Sequence, residues 1–120
     1  MSMYKQNVAQ VVSQVAVHLH NALGPIGTAL FDRNGTLVFN NNALHYVNEN
    51  TLTALVADCL INPVPGGLSS VTADGVTVRT IALDAQHVFV VVGNKLEDNT
   101  INGFVSSLRR ILPKASITDD

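Results

Sequence analysis

The chain has 120 residues, enough for one domain with a hydrophobic core and too few for a second. Charged residues make up 13% of it, about half of the ~25% that is typical of soluble domains, while hydrophobic residues make up an ordinary 47%. The formal net charge of −2 provides no basic field for nucleic acid and no polybasic patch for a membrane surface. The low charge leaves two interpretations: the surface is neutral but hydrated, or part of it is covered by a partner.

The cysteine content and the apolar runs indicate the compartment. The single cysteine, Cys59, excludes an internal disulfide framework. The first ten residues contain no apolar signal core, and the longest uninterrupted apolar run, at 88–93, is far too short to span a bilayer. We therefore expect a cytoplasmic protein without direct membrane insertion.

The first predicted elements are a helix and a β-hairpin. Over residues 5–22, valines and leucines follow the i, i+3, i+4, i+7 spacing of one apolar stripe, and a Gly-Pro pair ends the helix. Strands at 26–32 and 36–40 then form the hairpin, with Gly35 supplying the positive φ that the turn requires. A polar connector that can hold a short helical turn follows.

The middle of the chain predicts a second helix and a second hairpin. The helix spans about 50–61, with Asn48 or Asn50 as its candidate N-cap. A loop rich in proline and glycine separates it from strands at 69–73 and 76–83, which an Asp-Gly turn connects.

The last third predicts one strand and one helix. The run at 87–93 is apolar on both faces, so we expect a central strand that is covered from both sides. A helix at about 99–112 follows, Pro113 ends it, and residues 113–120 form a frayed tail. The order α-β-β-α-β-β-β-α predicts an α/β (α+β) fold, in which three helices flank a central five-stranded antiparallel sheet.

The second predicted helix is apolar on too many sides for a surface helix. Its larger apolar residues cover one broad face, Ala54 and Ala57 occupy much of the rest, and only Thr53 and Asp58 carry polarity through its middle. A helix that is apolar all round is normally buried, and the chain is too short to supply a second layer over this one. We infer that a partner covers it, either a second copy or a related subunit. The alternative is that its alanines and threonines lie at an ordinary hydrated surface.

Catalytic motifs are hard to find. The segment HNALGPI resembles the phosphoacceptor box of sensor kinases, but we interpret His20 as the C-terminal residue of a helix, since the chain turns away at Gly24 and no nucleotide-binding segment follows. His18 and His20 point to nearly opposite sides of that helix and cannot share a metal. With no nucleophile–base arrangement or paired carboxylates, we expect no enzyme, no metal and no cofactor.

The segment ALFDRNGTLVF, residues 29–39, is an apolar strand followed by an acidic-x-x-Gly turn. Together with the order of the elements over nearly the whole chain, it resembles the roadblock family of dynein light chains and GTPase regulators. The resemblance implies a single roadblock-like domain over 1–120 with a profilin-like or longin-like α/β sandwich. Members of that family are scaffolds that bind small GTPases, dynein chains or each other, and they have no catalytic residues to transfer.

The resemblance also implies an interface, because protomers of that family pair through the central helix and the third strand. The expected function is a non-enzymatic dimerising scaffold or adaptor, in the regulation of a small GTPase or as a subunit of a larger complex. The expected partners are a second copy or a related subunit and a small GTPase, with no nucleic acid. Carried over to this chain, the interface residues would be Leu52, Leu55, Val56, Cys59, Ser70, Val71, Thr72 and Ala73.

A small-ligand sensor of the PAS or GAF type is the alternative. PAS domains place several short helices between their second and third strands, and the corresponding stretch here, 41–68, has room for one good helix. Phe31, Phe39 and Phe89 would have to line the ligand pocket. The two hypotheses differ in where the excess apolar surface lies: outward on the second helix for a scaffold, inward around a cavity for a sensor.

Overall fold

The computed structural model describes residues 8–61, 68–73, 75–83, 86–94 and 96–115. Within these residues the chain forms four helices and five strands, a mixed α+β fold. In chain order the elements are α1 (Val8–Leu23), β1 (Gly27–Asp32), β2 (Leu37–Asn41), α2 (Ala43–Tyr46), α3 (Glu49–Ile61), β3 (Leu68–Ala73), β4 (Val76–Ala82), β5 (His87–Gly93) and α4 (Asp98–Ala115).

The strands form one sheet in the order β2-β1-β5-β4-β3, and every pair of neighbours is antiparallel. The predicted central position of the apolar run at 87–93 is confirmed, because β5 lies in the middle of the sheet. Residues 88–92 have no exposed surface, as expected for a strand that is covered on both faces.

The turn between β1 and β2 is organised by Asp32. Its carboxylate accepts hydrogen bonds from the backbone N–H groups of Asn34 and Thr36, both at 2.9 Å. Gly35 has a φ of +82°, which a residue with a side chain rarely adopts. The acidic-x-x-Gly motif therefore has a structural role, since the acid replaces missing backbone partners and the glycine permits the reversal.

Helices cover both faces of the sheet. On the first face, α1 and α4 pack side by side and bury a core with Leu30, Phe89 and Val91 of the strands. On the second face, α2 and α3 bury a core with Phe31, Val90 and other alternate residues of the same strands. Successive residues of a strand point to opposite faces, which is why β1 and β5 contribute to both cores.

The prediction of three helices is wrong, because α2 forms within the predicted polar connector. Its N-cap residue, Asn42, adopts a left-handed conformation with a φ of +67°, which asparagine tolerates better than most residues. Ala43 packs directly over Gly27 of β1, where a Cβ would lie 2.6 Å from the Ala43 Cα. A helix of four residues depends on such tertiary contacts, and the sequence pattern carries little signal for it.

The predicted end of the last helix is also wrong, because α4 continues through Pro113 to Ala115. Proline has no N–H to donate to the carbonyl four residues earlier, but only two residues of α4 follow Pro113, so little of the helix lies beyond that missing bond. The predicted start of α1 at residues 5–7, the Pro/Gly loop over 62–67 and the tail beyond residue 115 lie outside the described residues.

Candidate interaction surface

Helix α3 begins at a residue that the sequence offered as one of two candidates. Asn48 is the N-cap: its side-chain oxygen accepts a hydrogen bond from the Thr51 N–H at 2.8 Å, and its carbonyl accepts one from the Leu52 N–H at 3.1 Å. Glu49 adds a negative charge in the first turn, where it interacts favourably with the helix dipole. These contacts define where α3 begins, and the helix then lies over β4 and β5, which it contacts.

The inner face of α3 belongs to the core of the protomer. Leu52 and Val56 have no exposed surface and Cys59 is 4% exposed, and all three pack in the second core with Phe31 and Val90. Within the protomer these three side chains face the sheet, since a helix that lies on a sheet turns its widest apolar stripe toward that sheet, and their predicted role in an interface stays a prediction.

The outer face of α3 is the surface that the core leaves free. At about 100° per residue, the positions opposite Leu52 are Ala54, Ala57 and Ile61. All three are exposed, and Ile61 has 74% of its surface accessible, the most of the described large hydrophobic residues that stand exposed. Exposed Asp58 lies beside Ala54 at one margin of this strip, and the half-buried side chains of Leu55 and Leu60 lie farther round the helix on either side.

The sequence already contained the signal for this surface. Leu55 is the one predicted interface residue of the helix that retains partial exposure. The sequence pattern places Ala54 and Ala57 on the remaining side of the helix, but it does not say which of the two apolar sides faces the sheet. We call Ala54, Ala57 and Ile61 the α3 outer face.

Strand β3, which contains the other predicted interface residues, is the terminal strand of the sheet beyond β4. It pairs with β4 through six consecutive residue pairs without a register shift. Its sequence, LSSVTA, has neither a charged residue nor a proline, the two features that most often prevent a further strand from pairing with an edge. The backbone over 70–73 thus forms a regular, uncharged edge beside the face that carries α3.

In the described part of the chain, no group of three or more His, Cys, Asp or Glu residues is placed to hold a metal ion. Cys59 is buried in the core. The helix that contains His20 ends at Leu23, where the Gly24 N–H donates to the His20 carbonyl at 2.8 Å, so the chain does not continue in the helical form that a phosphoacceptor box requires.

The three phenylalanines that a sensor would use do not line one pocket. Phe89 and Phe39 pack on the face covered by α1 and α4, whereas Phe31 packs on the opposite face. An open cleft of about 240 Å³ lies elsewhere, lined by Leu23, Pro25, Tyr46 and Asn94. The phenylalanines therefore act as core residues on the two sides of the sheet.

None of the helices in the part of the chain that the structure describes is long and apolar enough to cross a membrane.

The same arrangement of helices and strands occurs in solved structures. MglB of Myxococcus xanthus superposes with a TM-score of 0.64 at 16% identity, over 86% of this chain and 95% of that one. An MglB structure with a tetrameric arrangement gives 0.66 at 14%, over 90% and 92%. A Roadblock/LC7 domain from Streptomyces avermitilis gives 0.56 at 14%, over 83% and 93%. This chain has the roadblock fold.

No family model matches the sequence, and no curated protein does. At such identities the likeness establishes the roadblock fold and nothing finer. Within the roadblock fold, α3 contacts β4 and β5, and the edge strand β3 is the next strand beyond β4.

Proposed function

We propose that this chain is a non-enzymatic scaffold that dimerises through α3 and β3, with a second copy or a related subunit, and that works in the regulation of a small GTPase or within a larger complex. The observation that carries the proposal is the α3 outer face, on which Ala54, Ala57 and Ile61 are exposed where a solitary surface helix would carry polar residues.

The chemistry of the α3 outer face suits a helix–helix contact. Alanine side chains let two helix axes approach closely, at the short end of the usual range of about 8–10 Å. Ile61 is 74% exposed, and its burial against a partner would contribute about 2 kcal/mol from the hydrophobic effect. Leu55 and Leu60, each half-buried within the protomer, would complete their burial at the rim of the contact.

Strand β3 would determine how the two protomers are oriented in that contact. In a two-fold dimer, the β3 backbone over 70–73 would pair with its own copy, and the unpaired N–H and C=O groups of both edges would be satisfied together. The two sheets would then be continuous, with a pair of α3 helices on one face. Apolar burial at the helices would supply affinity, and the backbone ladder would supply register.

The regulatory role has a different basis from the dimer. It depends on the resemblance to a family whose members bind small GTPases, dynein chains or each other, and on the low charge content of 13%. A dimer offers a broad surface of sheet and helix, in which a few apolar anchors can carry most of the binding energy.

The dimer is tested by Ala57→Arg, with Ala22→Arg as a matched control. Both alanines are exposed on helices, but Ala57 belongs to the α3 outer face and Ala22 to α1 on the opposite side of the sheet. Light scattering behind a sizing column should give twice 12.8 kDa for the parent and for the control. An unpaired guanidinium at the interface should weaken the dimer by about 3 kcal/mol, roughly 100-fold in the dissociation constant.

The dimer interface is wrong if Ala57→Arg keeps the circular dichroism spectrum and the native mass of a dimeric parent. The regulatory part is tested separately, by binding of the parent to a panel of small GTPases loaded with GDP or with a non-hydrolysable GTP analogue. Binding that depends on the nucleotide supports regulation, and a failure to bind any GTPase in either state favours a structural subunit of another complex.

A further inference from the structure

The two edges of the sheet differ in regularity. Strand β3 is regular along its whole length, whereas β2 contains a β-bulge. Along β1, Leu30 pairs with Phe39 and the next residue, Phe31, pairs with Leu37, so Val38 is an extra residue without a partner in β1.

The bulge allows Leu37 and Phe39 to reach opposite cores. Two residues that are separated by one position normally point to the same face of a strand. Because Val38 is extra, Phe39 packs with the core under α1 and α4, while Leu37 packs with the core under α3. Val38 itself is 41% exposed, although its side chain is apolar.

A bulge also changes what the outer side of a strand presents. It interrupts the regular spacing of N–H and C=O groups and increases the local twist, and natural sheets use it to prevent a further strand from pairing with an edge. In the described chain, β2 pairs with β1 on one side only, so its other side would otherwise offer a template for a foreign strand.

We propose that the bulge at Val38 closes the β2 edge to strand addition. Sheet pairing is then confined to the β3 edge, and an assembly that forms there ends after one strand-to-strand contact. The proposal stands apart from the dimer proposed above, because it concerns the opposite edge and holds whether the parent is a monomer or a dimer.

Deletion of Val38 tests the proposal because it removes the bulge and restores regular pairing between β1 and β2. With that residue removed, Leu37 and Phe39 keep their partners and their faces, since the two flanking pairs become consecutive. A regular β2 edge should then pair with its own copy. We expect light scattering to show at least a doubling of the parent's mass, with growth into longer oligomers if the parent is already a dimer.

Two further variants separate edge pairing from misfolding. Val38→Thr keeps the bulge and a β-branched side chain, and it should keep the parent's mass. Adding Asn41→Lys to the deletion places a charge on the exposed β2 edge and should restore the parent's mass, because a lysine there opposes strand pairing.

Several outcomes would overturn the proposal. One is a deletion variant that melts cooperatively and keeps the parent's mass. Another is a larger species that Asn41→Lys does not dissociate, which would assign the association to a different surface. Loss of a cooperative melting transition in the deletion variant would also count against it, by assigning Val38 to the stability of the hairpin. A monomeric parent whose deletion variant dimerises would support the closed edge and would leave a related subunit, rather than a second copy, as the partner of α3.

Discussion

The two helical layers of this fold cover the two faces of the sheet in different ways. On one face, α1 and α4 cover the sheet as a pair, and both helices are amphipathic, with residues such as Gln14, His18 and Ser106 facing solvent. On the other face, α3 carries exposed Ala54, Ala57 and Ile61 in the corresponding place, with exposed Asp58 beside them. A helix can therefore complete its own core and still carry an apolar strip on its outer side, and such a strip favours the proposed interaction surface.

Polar contacts reinforce the paired layer. Arg79 of β4 pairs with Asp98 in the first turn of α4 at 2.7 Å, and Arg109 near the other end of α4 donates to the Ala82 carbonyl at 2.8 Å. Helix α4 is therefore fixed to β4 at two separate points. Exposed ion pairs contribute little, of the order of 0.5 kcal/mol, so their main effect is on position.

The largest expected effects come from the matched cavities Leu108→Ala in the paired layer and Leu52→Ala under α3. Both leucines have no exposed surface, so each truncation should cost about 3 kcal/mol of unfolding free energy in chemical denaturation. The layers should differ in association. Leu108→Ala should keep the parent's dissociation constant, whereas Leu52→Ala should weaken the dimer by loosening α3. If Leu108→Ala and Leu52→Ala changed the dissociation constant equally, the proposal that only the α3 layer takes part in dimerisation would be wrong.

A smaller pair of effects, opposite in sign, is expected from two glycines. Gly27→Ala places a Cβ against the backbone of Ala43 and should cost about 2 kcal/mol, since the backbone of α2 has to move. Gly103→Ala, in α4, meets nothing within 4 Å and should gain roughly 0.5–1 kcal/mol from helix propensity. Thermal denaturation of the two variants measures both. A neutral Gly27→Ala would show that α2 is not seated on β1 as described.

A further effect, comparable in size to that of Gly103→Ala, is expected from a buried hydroxyl in β1. Thr28 is 2% exposed, and its Oγ1 has no hydrogen-bond partner in the described structure. By alternation with Ala29 and Leu30, its side chain points toward the layer of α1 and α4. Thr28→Val should therefore raise the unfolding free energy by about 1 kcal/mol, because the unpaired hydroxyl is removed at nearly constant volume.

Urea denaturation of Thr28→Val measures this gain, with the exposed Thr36→Val as a control that should stay within about 0.5 kcal/mol of the parent. A loss of stability in Thr28→Val would mean that the hydroxyl makes a favourable interaction in the paired layer.

Strong periodicity made most of the fold predictable. The stripes of α1 and α4 identify one layer, the apolar run of β5 identifies the centre of the sheet, and the acidic-x-x-Gly motif identifies the first turn. The sequence allowed α2 only as a short helical turn within the polar connector and did not count it as a helix, because its four residues are held by Asn42 and Gly27. The bulge escaped because Leu37, Val38 and Phe39 are all apolar, so their pattern has no period that could reveal an extra residue.

For the candidate surface, the sequence identified the helix but not which side of that helix is exposed. Both sides of α3 carry apolar residues, so the pattern could not decide which side would face the sheet. Leu52, Val56 and Cys59 face the sheet, where they fill the space between the layers. The exposed side is therefore left with alanines and Ile61.

The central position of β5 also dictates the order in which the fold can be completed. The β1–β2 and β3–β4 pairs are hairpins between strands that are near neighbours in the chain, whereas β5 pairs with β1 on one side and with β4 on the other. During synthesis, the edge of β1 that pairs with β5 therefore stays unpaired until residues 87–93 have been made. Such non-local pairing slows folding and prolongs the exposure of an unpaired strand, the period in which a nascent chain is most open to aggregation and to chaperones.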